Sequence, residues 1–136
     1  MRLLLPLLAV ALSGCTASAA ENARATQRSE SDEQKLAKAL EGLTPQKPVS
    51  CIDDHRSGAV EAYGPTILYK VGRGLVYRSD TAGGCENLGR GDIFVTHTIT
   101  GQLCRGDIAQ TVDPTSRTQS GSCSLGTFTP YRKVKP

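Results

Sequence analysis

Tryptophan is absent from this 136-residue chain, methionine occurs once, and tyrosine and phenylalanine together supply six aromatic rings. Aromatic side chains dominate the buried area of small cores, so this chain has to build a thin one. Histidine is also scarce. Only His55 and His97 occur, so a hydrolytic triad must use one of them, and no G-x-S-x-G elbow is present to organise a nucleophile. The cysteines after Cys15 fall 34, 19 and 19 residues apart without a C-x-x-C pair, which argues against a zinc centre. No apolar run reaches the roughly 20 residues that a membrane-spanning helix needs. No basic stripe interleaved with aromatics is present, which argues against nucleic acid as a partner. Gly72-Arg73-Gly74 and Gly83-Gly84 lack the strand-to-helix setting and the lysine of a phosphate loop. They read as hairpin connections, and no residue pattern calls for a cofactor.

What is present begins with an address. Met1-Arg2 leads into residues 3–12, apolar except for Pro6, and then into Leu12-Ser13-Gly14-Cys15. A charged start, a short apolar middle and small residues before a cut is the layout of a secretory signal. The last four residues resemble the bacterial lipobox, whose cysteine is diacylated, with fatty chains such as palmitate, before cleavage. The expected mature chain therefore starts at Cys15 and is held to a membrane through lipid there. One acyl chain anchors marginally and two or three anchor firmly, at about 0.8 kcal/mol per buried methylene. Thr16 rather than Asp follows the cysteine, which favours the outer membrane, facing the periplasm, over inner-membrane retention. Ala17-Ser18-Ala19 offers the alternative of an A-x-A cut that would release a soluble protein.

Five cysteines become an even set of four once Cys15 is assigned to lipid: Cys51, Cys85, Cys104 and Cys123. In an oxidising compartment that set reads as two disulfides. Pairing 108–112 as a hairpin with the segment after Gly121 puts Cys104 and Cys123 out of register. Of the two remaining connectivities, Cys51 with Cys104 and Cys85 with Cys123 is favoured, because each bridge then ties a loop or terminal strand to the sheet. Loss of the signal leaves 15 basic residues against 13 acidic ones. Of these, Arg132, Lys133 and Lys135 cluster at a C-terminus that reads as a frayed end.

Residues 15–30 carry almost no large apolar side chain and read as a flexible tether. Ser31 with Gln34 forms a capping box, and Leu36, Leu40 and Leu43 recur at helical spacing, giving a short helix at about 32–42 that ends at Gly42 and Pro45. Strand periodicity follows over 49–52, 59–63, 66–71, 75–78, 93–99, 108–112 and 127–131, with glycines between. The fold class expected is mainly β: a small antiparallel meander, barrel-like or in two layers, preceded by one helix and stapled by disulfides, with 31–136 as a single domain. Val71, Leu75, Tyr77, Ile67, Tyr69, Phe94, Ile99, Ile108, Val112 and Phe128 are its expected core.

Several short motifs recur in an order that resembles a family of small exported proteins and lipoproteins of Gram-negative bacteria, known as a domain of unknown function. They are Ala39 to Pro45, Pro48-Val49-Ser50-Cys51-Ile52, Thr66 to Lys70, Val76 to Asp80, Gly84-Cys85, Gln102 to Ile108, Val112-Asp113 and Ser122 to Gly126, followed by Phe128 and Pro130. The resemblance covers about residues 32–136. It implies compartment and domain limits and carries no activity, cofactor or catalytic residue.

No catalytic set stands out. A site on His97 would need a serine and Asp80, Asp92 or Asp107 converging on it. Asp53-Asp54-His55 are consecutive, so their side chains diverge, and they read as a polar turn. Arg90-Gly91-Asp92 and Arg105-Gly106-Asp107 read as turns in which Asp accepts a local backbone hydrogen bond. Tyr69, Tyr77, Arg78 and Asp80 are the binding candidates, since an exposed Tyr-Arg pair is a frequent recognition anchor. The plainer expectation puts Tyr77 in the core and Arg78 in solvent. The chain is thus expected to be a non-enzymatic envelope module, attached to the membrane through Cys15 and available to another envelope protein or a glycan. The alternatives are a small periplasmic hydrolase centred on His97 and a secreted, inhibitor-like protein.

Overall fold

The computed structural model describes residues 17–53, 58–72 and 74–133. The signal segment, Cys15, Asp54, His55, Arg73 and Lys135 lie outside the described residues. Helix α1 (Ala17–Ala39) leads into a chain of short strands: β1 (Thr44–Pro45), β2 (Cys51–Asp53), β3 (Ala59–Tyr63), β4 (Thr66–Val71), β5 (Leu75–Asp80), β6 (Ile93–Thr96), β7 (Gln102–Cys104), β8 (Ile108–Val112), β9 (Gln119–Ser124) and β10 (Phe128–Arg132). They form three antiparallel sheets, ordered β1-β10-β5-β4-β3, β2-β7 and β6-β8-β9. The mainly β fold behind one helix is as expected, built from separate sheets and not one closed barrel.

The two faces of the large sheet follow from the two-residue period of a strand. Ile67 and Tyr69 of β4, Tyr77 of β5 and Phe128 of β10 share one face, as the registers Tyr69↔Tyr77 and Phe128↔Ser79 require. That face packs on the smaller sheets, where Ile52, Leu103, Ala109, Leu125 and both cysteines of one bridge complete the core. The Tyr69 ring meets Phe128 and Phe94 edge-on, with centroids 5.6 and 6.2 Å apart, the arrangement that ring quadrupoles favour. Leu68 points the other way and is nonetheless fully buried. On that side Leu36 of α1 lines a cleft with Thr66, Arg78 and Asp80. Leu40 and Leu43 are likewise half-buried, as the expected leucine stripe requires.

The disulfides join Cys51 to Cys104 and Cys85 to Cys123, the pairing favoured from the sequence. The first links residues directly opposed across β2 and β7. The second brings the loop after β5 onto β9, and two glycines make that contact possible. A Cβ on Gly84 would overlap the Ser122 carbonyl, and one on Gly121 would overlap the Gly84 carbonyl. Gly83-Gly84 is therefore a close backbone crossing and not the hairpin connection expected. The bridges close sequence separations of 53 and 38 residues, each worth about 4 kcal/mol if loop entropy alone counted. For a core with three central rings, that is a large share of stability.

Three expectations are corrected. The helix spans Ala17–Ala39, taking in most of the segment read as tether and stopping short of 42. Low apolar content excludes a core but not a helix. Ala, Arg, Gln and Glu propagate helix well, and a turn already packed at Leu36 supplies the costly nucleus. The strand expected at 93–99 ends at Thr96, and Ile99 is fully exposed. Ile108 is 56% exposed while Ala109 is buried, so β8 faces the interior with the opposite set of side chains from that expected. Strands β1 and β7 are additional to those expected, while β9 is the hairpin partner expected for 108–112.

The backbone crossing makes a direct prediction. Gly121→Ala should destabilise the fold by about 3 kcal/mol, the upper range for forcing extra volume into a packed site, as read from the midpoint of denaturant unfolding under oxidising conditions. An unchanged midpoint would show that the loop and β9 are not in contact.

Candidate functional site

The structure separates the four binding candidates. Tyr69 is fully buried at the centre of the core, which removes it as a surface anchor: its ring is needed between Phe94 and Phe128. Tyr77 lies beside it, partly buried against the same cluster. Arg78 and Asp80 point to the opposite face of β5 and meet there. Arg78 Nε donates to Asp80 Oδ1 at 3.0 Å, and Thr66 Oγ1 donates to the same oxygen at 2.6 Å. Partial burial opposes the Arg78 charge, but contacts with Asp80 and then Tyr131 outweigh it and raise its pKa above the ordinary value. The Arg78 side chain is 33% exposed, so the plain expectation of an arginine directed into solvent holds only in part.

These residues edge a cleft of about 340 Å3 between α1 and the β3–β4 hairpin, lined also by Asp32, Glu33, Leu36, Tyr63 and Pro65. Next to it, the Glu61 carboxylate accepts from Lys70 Nζ at 2.6 Å and from the Tyr63 hydroxyl at 2.7 Å. The Lys70 bond and then the Tyr63 bond hold the Glu61 pKa below its ordinary value. Burial, followed by the Glu61 hydrogen bond, pushes Tyr63 up to about 12. Every group in this polar face that makes a hydrogen bond makes it to a neighbour on the sheet. Its geometry orders the hairpin beneath the helix, with the Thr66 hydroxyl committed to Asp80 and the Tyr63 hydroxyl to Glu61.

His97 is exposed one residue past β6. Among the described residues no carboxylate or hydroxyl is bonded to it, so nothing in its surroundings favours the hydrolase alternative. No group of three or more potential metal ligands occurs among the described residues. Of Asp53-Asp54-His55, only Asp53 is described. Both Arg-Gly-Asp tripeptides form turns. Asp107 Oδ2 accepts the Cys104 N–H at 2.7 Å, Gly91 is left-handed, and Asp92 is bonded by Ser120.

The surface that stands out was missed in the sequence. The outer face of β6-β8-β9 carries Ile93, Val95, Ile108, Gln110, Val112, Ser122 and Ser124, as the registers Ile93↔Val112, Val95↔Gln110 and Ile108↔Ser124 place them. No charged residue lies among them. Ile93 is 52% and Ile108 56% exposed. They stand toward opposite ends of the face with half-buried Val95, Gln110 and Val112 between them, and large apolar side chains left in water without a charge beside them mark a candidate contact surface. The signal for it was in the sequence: Ile108, Gln110 and Val112 alternate with Ala109 and Thr111, and either set was available to point outward.

No family model, no curated protein and no solved structure matches this chain.

The Glu61 pair has a pH dependence of fixed sign. Because its folded pKa lies below the ordinary 4.5, the stabilisation is complete above that value and is lost as pH falls through the lower, folded one. Both side chains are about two-fifths exposed, so Lys70→Met should cost less than about 1 kcal/mol at neutral pH, and the cost should vanish in acid. Tyr63→Phe should remove a tyrosine ionisation near pH 12 in a spectrophotometric titration, and Glu61→Gln should lower that ionisation without restoring it fully, since burial remains.

Proposed function

We propose that this chain is an exported, lipid-anchored module of the bacterial cell envelope that acts by binding and not by catalysis, with the outer face of β6-β8-β9 as its contact surface. The single observation that carries the binding role is the pair Ile93 and Ile108, each about half exposed on a sheet face without charge. A partner surface that is itself uncharged, in an envelope protein or on the apolar face of a sugar ring in a glycan, suits it better than an ionic ligand.

The address is supported by Leu12-Ser13-Gly14-Cys15 and by the pairing of the other four cysteines, which leaves Cys15 for lipid. The resemblance to small exported Gram-negative proteins points to the same compartment. Helix α1 starts two residues after Cys15. Its exposed part, up to residue 30, rises about 21 Å at 1.5 Å per residue, which would hold the domain away from a bilayer as a stalk in place of a loose tether. An outer-membrane position facing the periplasm follows from Thr16 in place of an aspartate.

Mass and membrane partition of the native protein, compared with Cys15→Ser, test the anchor. The native protein should carry acyl chains on Cys15 and sediment with membranes, and the variant should be found in the soluble fraction. A native N-terminus at Ala20 or Glu21 without lipid would overturn the anchor. For the contact surface, a photo-reactive side chain at Ile108 should form a discrete adduct in the intact envelope, which Ile93→Asp abolishes. Adduct formation equal to that of the same probe at Arg24 on the exposed stalk would contradict it.

A further inference from the structure

We propose that the open edge of β6 pairs with β6 of a second copy of this chain, joining two β6-β8-β9 sheets into one of six strands about a two-fold axis at Val95. The inference concerns the edge of the sheet rather than its face, and it stands whether or not that face binds a partner or Cys15 carries lipid.

The argument starts with which backbone groups point outward. Leu125 N donates to Asp107 O at 2.9 Å and Asp113 N to Thr118 O at 3.0 Å, so the odd-numbered residues of β8 turn their amide and carbonyl groups to β9. The even-numbered ones turn theirs to β6. Through the registers Val95↔Gln110 and Ile93↔Val112, Ile93 and Val95 bond to β8, while the N–H and C=O groups of Phe94 and Thr96 face away from the sheet. No described residue hydrogen-bonds to those four groups. The other long edges are protected: the outer side of β9 receives Ala82 N and Asn87 Nδ2 at Ser124 O and Ser120 O, and β3 is flanked by the 3₁₀ turn Glu86–Arg90.

A bare edge is a template for another strand, and natural proteins blunt it with lysine, proline or a bulge. Residues 93–100 read Ile-Phe-Val-Thr-His-Thr-Ile-Thr, with no lysine, proline or acidic residue. A second copy fits this edge because one antiparallel register satisfies it completely. With Val95 opposite Val95, Phe94 of each copy lies opposite Thr96 of the other, and the two pairs exchange four hydrogen bonds, leaving none of the outward groups open. A two-fold contact sets each residue against the same strand reversed, so any charge here would meet its like nearby. The strand has none.

The experiment uses the full chain with its native disulfides. Under mild oxidation by copper phenanthroline, Val95→Cys should give a covalent homodimer whose peptide map shows the introduced sulfurs joined to each other. Gln110→Cys, on the same face but about 14 Å from its mate across three strand spacings, should cross-link on the order of tenfold more slowly, since bridging needs Cα atoms within about 7 Å. Thr96→Pro removes an outward N–H and leaves the β8 ladder intact. It should abolish the Val95→Cys dimer, and in sedimentation of the otherwise unaltered chain it should shift a concentration-dependent dimer to monomer. Equal rates for Val95→Cys and Gln110→Cys would overturn the proposal, as would an unaltered chain that stays monomeric at every concentration. So would a Val95→Cys cross-link to a different polypeptide, which would make the edge a docking site for another protein's strand.

Discussion

Cys123 stands in β9 directly across from Ala109 of β8, and its bridge to Cys85 commits that side of both strands to the interior. Because strand side chains alternate strictly, one inward residue settles all the others. Ala109 and Thr111 turn in beneath the bridge, Ile108 and Val112 turn out, and through its pairing with β8 the same choice passes to β6, where Phe94 goes to the core and Ile93 and Val95 to the surface. The uncharged outer face and the open amide groups of β6 both descend from the placement of one sulfur. The crossing of Gly84 over Gly121 is what lets the bridge form at all, since side chains there would hold the two backbones apart.

How far the sequence showed this depends on whether hydrophobicity or covalent chemistry decided each element. The β3-β4-β5 meander was legible because its strands are apolar and its turns are glycine-rich, and the disulfide pairing followed from cysteine parity and strand register. Strand β9 was legible only as the hairpin partner of 108–112 and not from its own pattern, because Gln-Ser-Gly-Ser-Cys-Ser has no apolar alternation; its inward positions are a glycine and a cysteine. In β8 the hydrophobic rule chose the wrong side: Ile108 and Val112 are larger and more apolar than Ala109 and Thr111, yet the space beside a disulfide and three rings admits the smaller pair. The uncharged outer face was hidden by the same misreading, since Ile108 and Val112 are apolar enough to be expected in the core.

The opposite side of the molecule follows another logic. There Arg78, Asp80, Glu61, Lys70 and Tyr63 hold one another on the face that α1 covers, and the helix needs only a few half-buried leucines to stay in place. Tyr69, expected in the core as well as among the binding candidates, is the centre of the core, because a chain without tryptophan has to place its few rings where they bury most area. Arg78 and Asp80, grouped as binding candidates, do meet, because β5 runs on to Asp80 and sets them two residues apart on one face, as a structural pair beside the helix.

That the Cys85–Cys123 bridge decides which side of β8 is buried is open to one comparison: unfolding midpoints of Ile108→Asp and Ala109→Asp under oxidising conditions. With Ile108 outward, its replacement should change stability by less than about 0.5 kcal/mol, while a carboxylate at position 109 should leave the chain largely unfolded. Equal, severe loss for both, or the greater loss at Ile108, would contradict the assignment of this face to the surface.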